Sequence, residues 1–579
     1  MAQQILRINL TDGTARYQDV PEEWRLRGGR GLTSRGVLEE VPPLCHPLSS
    51  LNKLFLAPGW VTGTNAPSSG RLSVGGKSPL TNGIKESNVG GLAGQKIARL
   101  GLKAIILEGQ PTDGKSRLLK ISKEGVEFLP ADDLAGKGMY EVNARLWERF
   151  GKAAIIGVGP AGEMKMSNAG ISVNDTENGP GRYAGRGGLG AVMGSKGVKA
   201  IVLDDKDGPG VEIADREKFR TAARQLTEAL RTHAVTSQAL PTYGTAVLIN
   251  LLNEAGGLPT RNFRSGRFEG ARKVSGEMIN QIVKERGGAG RVGHACHPGC
   301  VIKCSNVFPR PDGTAHVACL EYESVWALGP NCGIDDLDDI AELNRICNDV
   351  GLDTIEAGDA LAVAMEGGVL PFGDSKGAIR LLQEVGEGTP LGRILGQGAA
   401  FTGRAFGVER VPVVKGQGMP AYEPRAVTGI GVTYATSPMG ADHTAGYAVA
   451  VEILQVGGKA DPLSAEGKAQ LSRNFQITTA FLDSSGYCLF IAFAILDISS
   501  GFEGMLGSVN AVLGTDWTSE DAHRIGREIL RAERQFNEAA GFTRAHDRLP
   551  EFMRREKLPP HNVVFEVSDE ALDTVHAEM

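Results

Sequence analysis

The amino-acid sequence predicts an α+β fold, in which an N-terminal β-rich domain precedes two mainly α-helical domains. Short apolar runs separated by glycine turns fill the first part of the chain, as at 5–10 and 199–203. Strands this short and this frequent are typical of a curved sheet or a sandwich. From Arg216–Thr232 onward, the apolar residues recur at helical spacing. The last long helix, predicted over 518–540, begins with the spacing of a capping box and ends before a glycine.

Two interruptions of this pattern predict the domain limits. The segment DDKDGPG at 204–210 is polar and rich in turn-forming residues, so it ends the β-rich part. The segment VPVVKGQGMP at 411–420 interrupts the helices. The predicted domains are therefore residues 1–207, 208–410 and 411–579.

The composition is that of an ordinary globular protein, with one exception. The 579 residues include 62 Lys plus Arg and 68 Asp plus Glu, which argues against a nucleic-acid-binding protein because such proteins carry a basic excess. No apolar stretch reaches the roughly 18 residues of a membrane span, and the N-terminus lacks the pattern of a secretory signal, so we expect a cytoplasmic protein. Glycine is the exception. It accounts for 78 of the 579 residues, well above its usual share of about 7%.

Two glycine motifs match the GxGxxG pattern of dinucleotide-binding loops, at 157–162 and 185–190. No clean helical stripe follows the first motif, and a loop instead of a strand precedes the second. We therefore expect tight turns rather than a nicotinamide or flavin site. The alternative for 179–197 is a loop whose backbone amides, with Arg182 and Arg186, contact a large anionic cofactor.

Three of the eight cysteines fall within nine residues, in a C-x3-C-x3-C pattern with a Pro-Gly bend: Cys296, Cys300 and Cys304. An iron–sulfur cubane needs four thiolates around one small body, so a fourth ligand has to come from elsewhere in the chain. Zinc is the alternative, with His294 or His297 completing the site. Three buried structural cysteines are the remaining interpretation.

Taken in order, these motifs resemble the tungsten- or molybdenum-dependent aldehyde:ferredoxin oxidoreductases. The match runs from an IxLT segment near the N-terminus to an FNxxxGFxRxxDxLP pattern at 536–550, so it covers essentially the whole chain. The resemblance implies that the N-terminal β domain is the base for two pterins that hold one metal. Two mainly helical domains would cover the pterins, beside a 4Fe-4S cluster.

The resemblance also implies where each cofactor binds. The first pterin would contact Arg71, Asn88, Gly90, Arg182, Ala184, Gly185, Arg186 and Gly187. A magnesium ion that bridges the pterin phosphates would lie near the backbone of Asn88 and Ala184. The second pterin would contact two segments of DxxGL(D/C) type, through Asn348, Leu352, Asp353, Asp483 and Tyr487.

This sequence departs from the family pattern at three of these positions. Asn348 stands where the family has aspartate, which removes the charge from one pterin contact. Ala445 stands where a basic residue is usual, and Tyr487 replaces a leucine. The second segment ends at Cys488, which the resemblance implies as the fourth cluster thiolate.

Two further residues are implied to handle protons. Glu323 would act as a general base toward water or the hydrated aldehyde. His443 would hydrogen-bond the carbonyl oxygen and make its carbon more electrophilic. The implied reaction is the oxidation of aldehydes to carboxylic acids at tungsten or molybdenum, with electrons leaving through the cluster.

The resemblance implies ferredoxin as the electron acceptor, or a small iron–sulfur subunit that feeds a flavin subunit, and an oligomeric protein. Two alternatives remain open. One is reductive dearomatisation of an aromatic acyl-CoA thioester, which Cys332 suggests because related ring-reducing enzymes use a cysteine as a metal ligand; otherwise Cys332 is a core residue. The other is a zinc-stabilised binding protein without redox activity.

Overall fold

The computed structural model describes residues 3–577. Two six-stranded sheets form the N-terminal part, as the alternation of apolar runs and turns predicts. The first sheet contains, in spatial order, Thr14–Asp19, Gln4–Asn9, Leu102–Glu108, Leu54–Pro58, Leu72–Lys77 and Ile84–Val89. The second contains Arg182–Ala184, Ile171–Val173, Ala154–Gly157, Val198–Leu203, Arg117–Ser122 and Gly125–Pro130. Each sheet has one parallel pair, and its other pairs are antiparallel.

The two sheets share one apolar core. Leu6 and Ile105 of the first sheet belong to the same buried cluster as Ile156 and Ile201 of the second. Two short helices, Ala93–Arg99 and Leu189–Ser195, contact strands of both sheets and contribute to this core. The N-terminal helices are Gly29–Glu40, Ala93–Arg99, Met139–Phe150, Pro160–Glu163 and Leu189–Ser195. The predicted α+β class and the β-rich N-terminal part are confirmed.

The rest of the described chain is mainly helical. Its α-helices are Arg216–Thr232, Leu240–Tyr243, Leu248–Glu254, Gly276–Arg286, Tyr322–Leu328, Leu337–Val350, Thr354–Glu366, Ser375–Glu387, Pro390–Gly396, Ala399–Phe406, Thr428–Thr436, Val449–Glu452, Lys468–Ser485, Ala492–Asp497, Ser499–Leu513, Ser519–Ala539, Phe552–Arg555 and Asp569–Thr574. Its strands are Arg291–His294, Ser305–Pro309, Ala315–Ala318, Val413–Val414 and Gln417–Gly418. The domain limits at 207 and 410 stay predictions. Across residues 3–577, no helix has both the length and the apolar character needed to span a membrane.

The predicted C-terminal helix is confirmed together with its start signal. Thr518 and Asp521 form a reciprocal capping box, and the helix runs over Ser519–Ala539. Its buried face includes Ile529 and Phe536, as the periodicity predicts. Local signals are sufficient here because cap and apolar stripe agree.

The two GxGxxG segments form tight turns, as predicted, but the strand Arg182–Ala184 directly precedes the second segment, where a loop was predicted. The first is followed by a helix of only four residues, Pro160–Glu163, and a Cβ at Gly159 would lie 2.2 Å from the carbonyl oxygen of Val350. In the second, Gly187 has a φ of +80°, and a Cβ there would meet the side chain of Lys85 at 2.4 Å. Glycine is therefore required by a close approach at the first position and by both φ and packing at the second.

A buried ion pair joins the N-terminal part to the C-terminal helix. The Arg30 guanidinium donates to both carboxylate oxygens of Glu533, each at 2.9 Å, and to Asp483 Oδ2 at 3.2 Å. Ser34 also donates to Glu533, at 2.8 Å. Arg30 and Glu533 are almost completely buried. The pair therefore fixes the helix Gly29–Glu40 against Ser519–Ala539, next to Asp483.

We expect Glu533→Gln to lower the free energy of unfolding by about 3 kcal/mol, because it removes the paired carboxylate of a buried arginine and leaves only the longer contact to Asp483. The thermal unfolding midpoint, followed by circular dichroism, measures the loss. Glu528→Gln is the matched control, since Glu528 lies on the same helix but its side chain is 36% exposed. Exposed ion pairs contribute less than about 1 kcal/mol. Equal midpoints for the two variants would contradict the assigned role.

Candidate active site

A cavity of about 360 Å³ lies where the N-terminal sheets meet the helical part of the chain. Most of the predicted site residues line it: Arg71, Asn88, Gly90, Arg182, Gly185, Arg186, Cys296, Cys304, Glu323, Asn348, Leu352, Asp353, His443, Asp483 and Cys488. Ala184, Gly187, Tyr487 and Cys300 are not on its wall. Residues that are far apart in sequence thus share one cavity.

Two loops carry the predicted cluster cysteines, of which Cys296, Cys304 and Cys488 line this cavity. Cys296, Cys300 and Cys304 lie in the connection between the strands Arg291–His294 and Ser305–Pro309. Cys488 follows the helix Lys468–Ser485, which ends at Gly486 with a φ of +90°. The amide of Cys488 donates to the carbonyl oxygen of Ser68 at 2.8 Å, which fixes this loop to the N-terminal part.

Arg71 lies among the cysteine thiols. Its Nη2 is 3.0 Å from the Sγ of Cys488. Burial acts to lower the pKa of Arg71, but the negative charges of Cys488, Cys296 and Cys304 raise it overall. Burial, with Glu321 and the other three cysteines, raises the pKa of Cys304 well above its usual value. One guanidinium does not neutralise four thiolates, so the donor set fits a polynuclear cationic centre.

The structure also bears on the two histidines that were candidates for zinc. His294 Nε2 is 3.2 Å from Asp175 Oδ2, so its ring already has a partner. Ligand atoms of Cys296, His297 and Cys300 all lie within 4.8 Å of one another, which is close enough for one ion. A single ion there would leave the thiols of Cys304 and Cys488 unused, whereas a cubane uses all four cysteines.

Glu323 and His443 face each other in the cavity. His443 Nε2 is 3.4 Å from Glu323 Oε1, and the amide of Ala421 donates to Glu323 Oε2 at 2.9 Å. Glu323 lies in the first turn of the helix Tyr322–Leu328, and His443 begins a 3-10 turn. Neither Glu323 Oε1 nor His443 Nδ1 has a hydrogen-bond partner. These two atoms are therefore available to a bound molecule.

Burial sets the protonation of this pair. It raises the pKa of Glu323 to about 8 and lowers the pKa of His443 to about 4. At neutral pH the imidazole is therefore uncharged, and the carboxyl group is close to its titration point. A carboxyl group with a pKa near the working pH is suited to accept a proton and release it again.

Arginines dominate the part of the wall that the pterin motifs contribute. Arg186 donates to Asp353 Oδ2 at 3.1 Å and to two backbone carbonyl oxygens at 2.6 Å. It therefore holds separate segments of the wall together. Arg182 Nε has no partner, although the same guanidinium donates to Ser305 Oγ at 2.9 Å. A Cβ at Gly90 would lie 3.3 Å from Cys296 Sγ, so this glycine lets the backbone approach the cluster site. The wall combines fixed positive charge with open donors, which suits an anionic cofactor.

Several wall residues were missed by the sequence reasoning. Glu86 lines the cavity with Oε1 unpaired, and burial raises its pKa to about 8. Burial likewise raises the pKa of the predicted Asp483, to about 6. Arg30 and Tyr447 also line the cavity. No spacing of residues along the sequence indicates these positions. They can be recognised only from their contacts in the fold.

Models of known protein families match this chain. The family model described as the aldehyde ferredoxin oxidoreductase N-terminal domain matches residues 5–205. The model for domains 2 and 3 of the same enzyme matches residues 221–578. The chain belongs to the aldehyde ferredoxin oxidoreductase family. The resemblance that the motifs indicated is therefore confirmed over nearly the whole chain.

Individual relatives agree with the family assignment. The chain is 37% identical to the tungsten-containing aldehyde ferredoxin oxidoreductase of Pyrococcus furiosus, covering 96% of this chain and 92% of that one. The enzyme of the same name from Pyrococcus abyssi is 38% identical with the same coverage. The BamBC active-site complex of benzoyl coenzyme A reductase has a TM-score of 0.79, covering 99% of this chain and 93% of that one. Its sequence identity is 18%, so it shares the fold.

Within this aldehyde ferredoxin oxidoreductase fold, Cys332 is a core residue. It is completely buried, and its Sγ contacts the carbonyl oxygens of Ala327 at 3.3 Å and Gly358 at 3.6 Å. It is not on the cavity wall. The observation that suggested a ring-reducing enzyme therefore carries no weight here. Ala445, by contrast, does line the cavity, two residues after His443.

Proposed function

We propose that the protein oxidises aldehydes to carboxylic acids at a tungsten centre held by two pterins. The observation that carries this proposal is the shared cavity, which holds the Glu323–His443 pair, the arginine-rich wall and the cysteine thiols. The relatives named as tungsten-containing aldehyde ferredoxin oxidoreductases favour this reaction over the reductase and zinc alternatives. Adding water to an aldehyde and removing two protons and two electrons gives the acid.

Glu323 accepts a proton from water or from the hydrated aldehyde. Its unpaired Oε1 faces the cavity, while the amide of Ala421 fixes Oε2. The uncharged His443 ring hydrogen-bonds the carbonyl oxygen, which makes the carbonyl carbon more electrophilic. When bound, a tungsten–pterin group would supply the two-electron acceptor, and a 4Fe-4S cluster would supply a one-electron carrier.

The donor set supports specific positions for these groups. Cys296, Cys300, Cys304 and Cys488 would hold the cluster, with Arg71 as a buried counter-charge. One pterin would contact Arg71, Asn88, Gly90, Arg182, Ala184, Gly185, Arg186 and Gly187, with a magnesium ion near Asn88 and Ala184. The other would contact Asn348, Leu352, Asp353, Asp483 and Tyr487. Asn348 Nδ2 is buried without a partner, which fits a contact to a bound group.

The electron acceptor follows from the ligand count and from the relatives' names. The four cysteines form one predicted ligand set, so the electrons have to leave to another protein. We propose ferredoxin, or a small iron–sulfur subunit with a flavin subunit, and an oligomer in solution. Copurification under anaerobic conditions tests this, and a lone chain that reduces NAD would contradict it.

Metal analysis combined with an aldehyde assay tests the function. We expect anaerobically purified protein to contain about one tungsten and about four iron atoms per chain, because the site offers four thiolates for one cubane. We also expect it to reduce a viologen dye when an aldehyde is added. Protein with zinc alone, or with neither tungsten nor molybdenum, would end the proposal. Benzoyl-CoA reduction without any aldehyde oxidation would favour the reductase.

A further inference from the structure

A row of aromatic rings begins at the Glu323–His443 pair. The ring centres of Tyr422 and Tyr447 lie 6.0 Å and 6.5 Å from that of His443. Phe493 follows at 6.3 Å from Tyr447, and Phe490 stacks on Phe493 at 5.9 Å. These spacings are those of rings in direct contact. We call Tyr422, Tyr447, Phe493 and Phe490 the aromatic row.

The aromatic row lines the cavity beside the reacting pair. Tyr422 is 2% exposed and Tyr447 is 9% exposed, whereas Phe490 is half-buried. Tyr422, Tyr447 and Phe490 are on the cavity wall, and Phe493 packs against Tyr447 and Phe490. The row therefore forms an aromatic surface next to Glu323 and His443.

The row offers an approaching molecule an apolar surface. The hydroxyl groups of Tyr422 and Tyr447 hydrogen-bond each other at 2.8 Å, so one of the two O–H donors is already used. The neighbouring Tyr322 hydroxyl donates to the carbonyl oxygen of Ala421 at 2.6 Å. No member of the row carries a charge. A carboxylate or phosphate placed against the row would be desolvated without a cationic partner in it, which is unfavourable.

The arginine side chains of the cavity lie on one part of its wall. The arginines Arg30, Arg71, Arg182 and Arg186 lie on the wall of the predicted cofactor motifs. Ala445, two residues after His443, adds no cation. Arg186 acts on the charges of Glu323 and His443, but its guanidinium already donates to Asp353 and to two carbonyl oxygens, so it is not open to an anionic substrate. The rings of the aromatic row favour contact with another ring or with a long apolar chain.

Building on the proposed function, we infer that the aromatic row is the substrate-binding surface and that it selects uncharged aldehydes with an aromatic ring. Benzaldehyde represents this class, acetaldehyde is the small apolar comparison, and glyoxylate is the charged one. An aldehyde ring would lie against Phe490 and Tyr447, with its carbonyl group at His443. Phe490 and Tyr447 are then specificity-determining residues.

Steady-state kinetics with a viologen acceptor test the inference. We expect kcat/KM for benzaldehyde to exceed those for acetaldehyde and glyoxylate at least tenfold in the unmodified protein. Phe490→Ala should lower kcat/KM for benzaldehyde about tenfold more than kcat/KM for acetaldehyde, with most of the difference in KM. Phe401→Ala is the matched control, since it removes a 41% exposed ring that is not on the cavity wall. It should leave both values unchanged.

Two further measurements keep the inference falsifiable. Tungsten and iron contents identify an Ala variant that has lost its cofactors, and Phe490→Leu then replaces it, because it keeps an apolar side chain without the ring. Tyr447→Leu should shift the preference in the same direction. Equal losses for benzaldehyde and acetaldehyde, or efficient oxidation of glyoxylate, would overturn the substrate class while leaving aldehyde oxidation intact. Protein that oxidises none of the three aldehydes would overturn both proposals.

Discussion

Glu323→Gln is expected to lower kcat/KM for aldehyde oxidation by about 10²–10⁴-fold, the usual contribution of a positioned general base. Glutamine keeps the size of the side chain and can still accept from the amide of Ala421 through its carbonyl oxygen. It cannot take a proton from water. We therefore expect unchanged tungsten and iron contents together with the loss of turnover.

The adjacent Glu321 provides the control for this experiment. It lies two residues away and also lines the cavity, but Thr245 and Ser305 already donate to its two carboxylate oxygens. Glu321→Gln should therefore cost less than about tenfold in kcat/KM. A Glu323→Gln variant that keeps more than a tenth of the activity, or that is no worse than Glu321→Gln, would rule out Glu323 as the base.

The pH dependence of the unmodified protein follows from the same residue. The base must be ionised, and burial raises the pKa of Glu323 to about 8. The value of kcat/KM should therefore rise with pH and level off above about pH 8. His443 is uncharged above about pH 4, so it adds no second step near neutrality. A rate that falls between pH 6 and 8 would contradict this assignment.

Cys488→Ala is expected to remove most of the iron that we propose the protein binds, and with it electron transfer to the acceptor. The reason is that a cubane needs four thiolates, and Cys488 is the only predicted ligand outside the 296–304 loop. Iron analysis of anaerobically purified protein measures the loss. Cys45→Ala is the matched control, because Cys45 is also buried but packs in a different apolar cluster.

His297→Ala separates the cluster from a single bound ion. A cubane held by the four cysteines should keep its iron in this variant, whereas an ion bound by Cys296, His297 and Cys300 would be lost. Full iron in Cys488→Ala, with metal loss in His297→Ala, would contradict the predicted ligand set.

Local patterns in the sequence were enough to predict these regular helices and strands. The run at 199–203 lies within the strand Val198–Leu203, and the predicted helix at 216–232 is Arg216–Thr232. Each has a periodic apolar pattern that agrees with its end signals. The predicted site residues came instead from motifs, whose order along the chain matched a known family.

Other features depend on contacts that no local pattern encodes. Arg30 and Glu533 are 503 positions apart, and neither has a spacing that indicates its partner. The aromatic row is assembled from three separate segments, so its rings are neighbours in the fold alone. At Cys332 the sequence suggested a metal nearby, but the packing of the fold places this residue in the core.

The cavity wall extends from Arg30 to Phe490, so the part that contains Asp483 and Cys488 is made more than 450 residues after Arg30. While a ribosome is still synthesising that part, the compartment has one side missing, including Asp483 and Cys488. A preassembled prosthetic group therefore has no complete binding site until translation has passed Phe490. We expect cofactor insertion to follow the synthesis of residues 30–490 and to act on a still unloaded polypeptide.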